Sequence, residues 1–148
     1  MKNETPDQIV QEVRANHQSQ LALCEVLESI ADQLPRVVDR QQCLSLARQI
    51  SPIVKAAHDF EEAKLFPYLL GLPCPFPNLE QSLERLRYEH WEDESFAEEI
   101  SESLKEFGQG ECEDGCEKLA YMLRGFFEGL RRHMAFENEH LLPMLEVA

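Results

Sequence analysis

The sequence predicts an all-α fold, an up-down-up-down antiparallel bundle of four helices. Three observations carry the prediction. Apolar residues recur at helical spacing along most of the chain, and no period of two is sustained. Proline, glycine and capping residues divide the chain into four long stretches with short connections. The distances from four inward histidines to the nearest chain reversals also match in pairs, as hairpin arms must.

The first stretch runs from about Pro6 to Leu34. Thr5-Pro6 provides a cap and a first-turn proline. Ile9, Val13, Leu21, Cys24, Leu27, Ala31 and Leu34 share its apolar face, and Pro35 closes it. The second begins near residue 40 and reaches Leu70, with Leu44, Leu46, Ala47, Ile50, Ile53, Val54 and Ala57 inward. Pro52 and Pro67 lie inside it and predict kinks or irregular turns. Gly71 ends it, and a proline-rich loop follows. Asn78 with Gln81 reads as a capping box for a third helix to about Phe107, before Gly108-Gln-Gly110. Asp114 with Glu117 reads as another box, opening a fourth helix to about Leu145. Gly125 and Gly129 there would let a neighbouring helix approach closely. Together these make one domain over residues 1–148.

The 148 residues suffice for a substantial core, and 43% hydrophobic with 28% charged residues describes a soluble globular chain. No apolar run has the length of a membrane span, and the N-terminal residues lack a signal-type stretch, so a cytoplasmic protein is expected. A net charge of −14 argues against nucleic acid or an anionic membrane as partner. The acidic run from Glu89 to Glu99 reads as a solvated helix face. Cys24, Cys43, Cys74, Cys112 and Cys116 have no spacing of a secreted disulfide framework and are expected reduced. Cys112 and Cys116 form a CxxxC, a possible redox pair, although incidental cysteines are the plainer reading. Monomer and homodimer are equally compatible with the sequence.

The histidines carry the chemistry. His17, His58, His90 and His133 fall one to each helix. His17 to Pro35 spans 18 residues and Asp39 to His58 spans 19; His58 to Gly71 spans 13 and Asn78 to His90 spans 12; His90 to Gln109 spans 19 and Gly115 to His133 spans 18. These are arms of about 27, 19 and 27 Å. A short-looped bundle therefore sets all four histidines at one level. Each also lies in its helix's apolar register, and a layer of four buried imidazoles needs partners.

Carboxylates at helical spacing complete the constellation. Glu61 and Glu62 follow His58, and Glu137 follows His133 by four residues. His/Glu pairs on facing helices build di-iron or di-manganese centres inside bundles. Imidazole and carboxylate without thiolate suit iron or manganese, and zinc is also compatible. The expected metal set is His17, His58, Glu62, His90, His133 and Glu137, with Glu61 the alternative to Glu62. Glu94 is a further candidate one turn after His90, with a solvated role equally open. His140 is expected at the periphery.

Four segments in order resemble the hemerythrin-like, or HHE cation-binding, family over about residues 10 to 145. They are His17 in Asn-His-Gln-Ser-Gln-Leu, His58-Asp-Phe-Glu-Glu-Ala-Lys-Leu-Phe-Pro67, His90 in Tyr-Glu-His-Trp-Glu, and His133-Met-Ala-Phe-Glu-Asn-Glu-His-Leu-Leu-Pro143. The resemblance implies two iron ions per chain, oxo-, hydroxo- or carboxylate-bridged, with His17, His90 and His133 as terminal ligands and Glu137 as a bridge. The second helix departs from the family pattern. Aligning Glu61-Glu62 and Pro67 puts Ala57 in the histidine position and His58 one place late. Pairing His58 with Glu62 at i,i+4 is favoured over pairing it with Glu61 at i,i+3. The departure also leaves a mononuclear site open.

An open coordination position would admit dioxygen or nitric oxide, behind a dry wall of Met122, Phe126, Leu130, Leu86 and Leu21. No acid, base or nucleophile stands apart from the ligand set, so chemistry on an organic substrate is not indicated. The alternatives are a metal-free helical interaction module, using Leu72, Phe76 and Trp91 as exposed apolar contacts, and an iron storage or delivery protein.

Overall fold

A computed structural model describes residues 4–34, 39–73, 76–110 and 115–146, with the backbone alone at 115 and 116. The first helix is Pro6–Gln33. The second is Arg40–Phe60, which continues through a π-helical turn, Glu61–Leu65, into Phe66–Leu70. The third is Leu79–Gly108. The fourth, Gly115–Phe136, continues through a second π turn, Glu137–Leu141, into Leu142–Glu146. Each helix packs on the next, and the first closes against the fourth, giving the four-helix bundle that the sequence predicts. There is no strand among the described residues, and none of their helices is long and apolar enough to cross a membrane. The second capping box and Cys74 and Cys112 lie outside the described residues, as does the side chain of Cys116.

Helix starts follow local chemistry. The Gln8 N–H donates to Thr5 Oγ1 (3.2 Å) and the Thr5 N–H donates to Gln8 Oε1 (2.9 Å), satisfying two otherwise orphaned groups. Asp39 caps the second helix, accepting from the Gln41 N–H at 2.9 Å. Asn78 differs from expectation. It adopts a left-handed φ of 70°, and its side chain makes no capping bond. Asparagine tolerates that conformation better than most residues, and its carbonyl, at 3.0 Å from the Ser82 N–H, starts the helix instead.

The interior is two apolar clusters with a polar layer between them. One holds Leu23, Leu27, Ile50, Ile100, Leu123 and Phe127 with their neighbours. The other holds Val13, Leu65, Phe66, Leu83, Leu141 and Leu145. His17, His58, His90 and His133 fall between these sets on their own helices, and all four are buried. The level that the arm lengths predict is therefore occupied from every side.

Details of the buried faces differ from the expected stripes. Leu21 is 40% exposed, while Val10, Gln20, Leu23 and Ile30 are buried. The first helix is contacted along two neighbouring faces, by the second and fourth helices, so its buried stripe is broader and rotated relative to one i,i+4 row. Leu72 is half-buried against the second cluster rather than free, whereas Phe76 and Trp91 are exposed. The third helix runs through Gly108, and the break falls at Gly110, whose φ of +78° suits glycine.

Gly108 is a close approach. A Cβ there would lie 2.7 Å from Leu44 Cγ and 3.0 Å from the Arg40 carbonyl oxygen, at the start of the second helix. Gly108→Ala should destabilise the protein by about 1–2 kcal/mol despite alanine's better helix propensity. Urea unfolding checks this, and a midpoint at or above wild type would contradict it.

Candidate metal centre

The second and fourth helices deliver their carboxylates in the same way. Glu61 precedes Pro67 by six residues, and Glu137 precedes Pro143 by six. Each glutamate opens a π turn. The Phe66 N–H reaches back to the Glu61 carbonyl, and the Leu142 N–H to that of Glu137. Proline cannot donate to the preceding turn, and a π turn takes up that disruption without ending the helix. In backbone terms Glu61 is the counterpart of Glu137. Both are buried, at 2% and 0% exposure.

Glu61, His90, His133 and Glu137 can each offer a ligand atom, with all four atoms within 4.8 Å of one another. His90 Nε2 and His133 Nε2 lie 3.1 Å apart. Glu137 Oε1 is 3.3 Å from His133 Nε2 and 3.2 Å from His17 Nε2, which joins the first helix to the group. His58 stacks on His90 with ring centroids 3.8 Å apart and planes 7° from parallel. All four predicted histidines and both buried glutamates are thus brought together. Glu62 is placed elsewhere. It is half-buried and accepts from His90 Nδ1–H at 3.0 Å, on the side of the ring away from His133.

The outward ring nitrogens face acceptors from other helices. Asn138 Oδ1 lies 3.2 Å from His17 Nδ1. Glu94 Oε2 lies 3.5 Å from His58 Nδ1 without hydrogen-bond alignment. Glu89 Oε2 and Asp93 Oδ2 stand 3.8 and 3.9 Å from His133 Nδ1. The acceptors bonded to His17 Nδ1 and His90 Nδ1 favour the tautomer that leaves their inner nitrogens free to bind a metal. Sequence reasoning missed Asn138, Glu89 and Asp93. Their only signal is adjacency to Glu137 and a position within one turn of His90, inside a run that reads as solvated. His140 is peripheral, against Phe136.

Electrostatics favour neutral imidazoles. Burial, with help from the neighbouring His133 and Lys55, pushes His58 down to about 3. Burial with His58, His133 and Arg87 pushes His90 down to about 2, and burial with His17 pushes His133 down to about 4. Their lone pairs are therefore available at neutral pH. Burial raises the Glu137 carboxyl against the pull of His17.

The residues fit a metal. Both Glu61 oxygens, Glu137 Oε2 and both His58 nitrogens are buried without a hydrogen-bond partner. Leaving an ionised carboxylate so placed costs several kcal/mol, and a cation between the two glutamates removes that cost. The His90–His133 spacing is also what two nitrogens about 2.1 Å from one ion at a right angle would show, roughly 3 Å.

A helical bundle carrying inward histidines and glutamates from facing helices is a metal-binding bundle of the carboxylate–histidine class. Residues 8–145 match the model of the hemerythrin HHE cation binding domain, and the chain belongs to that family. No curated protein and no solved structure matches it significantly. Family membership and the buried cluster together point to metal binding.

Asp93 offers a test of these electrostatics. Burial, then the carboxylates of Glu89, Glu92 and Glu94, raise it to about 7. A carboxyl raised on folding contributes stability that is full below its unfolded value and is lost as pH rises through 7. In chelator-treated protein, Asp93→Asn should therefore raise stability at pH 8 by ~2 kcal/mol. The gain should shrink as pH falls toward 4. Thermal melts across that range check it; a pH-independent difference would contradict it.

Proposed function

We propose that this chain is a non-haem di-iron protein whose centre binds dioxygen or nitric oxide, for carriage or sensing, without turnover of an organic substrate. One observation carries the reading above all. Glu61 is 2% exposed with both oxygens unpartnered, beside Glu137 and two neutral imidazoles. Glu61 and Glu137 would bridge two ions, His90 and His133 would complete one position, and His17 and His58 the other. Glu62, the favoured ligand from sequence, would instead orient His90, and Glu94 would face His58. Iron suits this donor set and the family; manganese and zinc are the competing ions. Bound as a ferrous pair, it would supply electrons to a diatomic ligand at an open position.

The protein's own residues would keep that position dry. Phe66 lies against the His90 ring, and Leu86 and Leu130 are buried about one turn from His90 and His133. Phe126 lies in the first cluster, stacked on Phe96 with ring centroids 5.6 Å apart. Met122 packs only partly buried against it, and Leu21 faces outward, so neither closes the site. Buried Cys24 and Cys43 are free thiols, in keeping with a reducing cytoplasmic setting. A metal-free interaction module would leave the glutamate oxygens buried at a standing cost, with nothing gained from them.

The two positions are inequivalent, since four donors already converge on one and the other depends on the displaced His58. Anaerobic ferrous titration should give two ions per chain in two steps. Glu61→Ala should abolish the bridged pair, and Glu62→Ala should retain it with ~10–100-fold weaker binding. The reverse ranking would overturn the assignment of Glu61. Spectra of the loaded protein should change on adding oxygen or nitric oxide, and indifference to both would remove the gas-binding role. Failure to bind metal after reconstitution would instead favour the interaction module, acting through Phe76 and Trp91.

A further inference from the structure

The buried layer is nearly sealed, and where it is not sealed the surface is chemically distinctive. Of the four histidines, His17, His58 and His90 are 3%, 1% and 0% exposed, and His133 is the most exposed at 8%. His133 lines a cleft of about 340 Å³ between the third and fourth helices, with Glu89, Glu92, Asp93, Gly129, Arg132 and Phe136. Its Nδ1 faces Glu89 and Asp93 at 3.8 and 3.9 Å, beyond hydrogen-bond reach of either. His133 thus turns its outward ring nitrogen toward the carboxylates of the cleft, while its inner Nε2 lies 3.1 Å from that of His90.

Gly129 keeps the cleft open. The sequence suggests a close approach of helices there, but a Cβ at Gly129 would meet nothing within 4 Å. The missing side chain leaves room beside His133 rather than admitting a neighbouring backbone. Glu89, Glu92 and Asp93 face Arg132 across this room, and Arg85 pairs with Glu89 at 3.6 Å, so the surplus is still negative and attracts a divalent cation while a neutral gas is indifferent to the charge.

We propose that the cleft bounded by Glu89, Glu92, Asp93 and Gly129 is the route by which a divalent cation reaches the buried centre, with His133 at its inner end. The proposal rests on the metal-binding reading of that centre. The carboxylates gather the hydrated ion at the surface, and the space over Gly129 lets it pass to the His133 ring. The same opening admits a neutral diatomic ligand without electrostatic assistance.

The test is the rate at which full-length apoprotein takes up ferrous ion anaerobically, followed by stopped-flow Trp91 fluorescence with endpoint metal analysis. Glu92→Lys, an exposed cleft residue touching no histidine, should slow uptake by ~3–10-fold at low salt, and the difference should vanish near 0.5 M salt. Glu102→Lys carries the same charge change ten residues along the same helix and should have little effect. Gly129→Leu, which favours helix and so should fold, should slow both metal uptake and nitric oxide binding to the loaded protein. Glu92→Lys should leave nitric oxide binding unchanged. Uptake at the wild-type rate in both cleft variants would overturn the route while leaving the centre intact. Equal slowing by Glu102→Lys would reduce it to a net-charge effect and overturn it too. Wild-type protein that binds no iron at all would overturn the metal reading itself, and the route with it.

Discussion

The structure is organised around a polar layer that an apolar interior would ordinarily exclude. Four histidines and two glutamates are buried between two hydrophobic clusters, and several of their polar atoms have no hydrogen-bond partner. Desolvation holds the imidazoles of His58, His90 and His133 neutral and raises the Glu137 carboxyl. A layer of this kind weakens an apolar core unless something satisfies all its donors at once. The clusters on either side supply the stability that keeps the layer assembled, because each helix is anchored above and below it.

The π turns connect that constraint to the backbone. An α-helix presents one residue per 100°, so neighbouring glutamates such as Glu61 and Glu62 cannot both face the interior. The π turn that opens at Glu61 repeats the one at Glu137, and proline follows each glutamate at the same distance. Glu61 faces inward one turn after buried Ala57, and Glu62 lies at the edge, where it accepts from the outward nitrogen of His90. In the second helix two adjacent carboxylates are thus divided between a buried role and a supporting one, as Glu137 and Asn138 are in the fourth. His58 is the exception in this symmetry: it stacks on His90 where the fourth helix presents His133 at i,i+4 from its glutamate.

The third helix has a double task. Its inward side gives His90 to the layer, and its flank supplies the acidic groups that face the outward nitrogens of His58 and His133. The run from Glu89 to Glu99 is therefore more than a solvated face. Asp93 in particular is held near neutral pH by burial among like charges, a cost that a nearby cation would relieve.

Much of this was legible in the residues alone. Helical periodicity, proline and glycine punctuation and equal arm lengths determined four antiparallel helices with His17, His58, His90 and His133 at one level, since those quantities depend only on rise per residue and chain reversal. The inward glutamate of the fourth helix was equally legible, because His133 and Glu137 keep regular spacing. What the sequence left open was whatever depends on departures from a regular helix or on a neighbouring element. Whether Glu61 or Glu62 points inward is ambiguous from spacing, because Glu61 follows buried Ala57 by four residues and Glu62 follows buried His58 by four. The exposure of Leu21, the left-handed Asn78 and the partners of each outward nitrogen follow from which faces meet in the assembled bundle. Helical spacing sets the level of a side chain along the axis; only tertiary packing sets its rotation about that axis, and with it the atoms it touches.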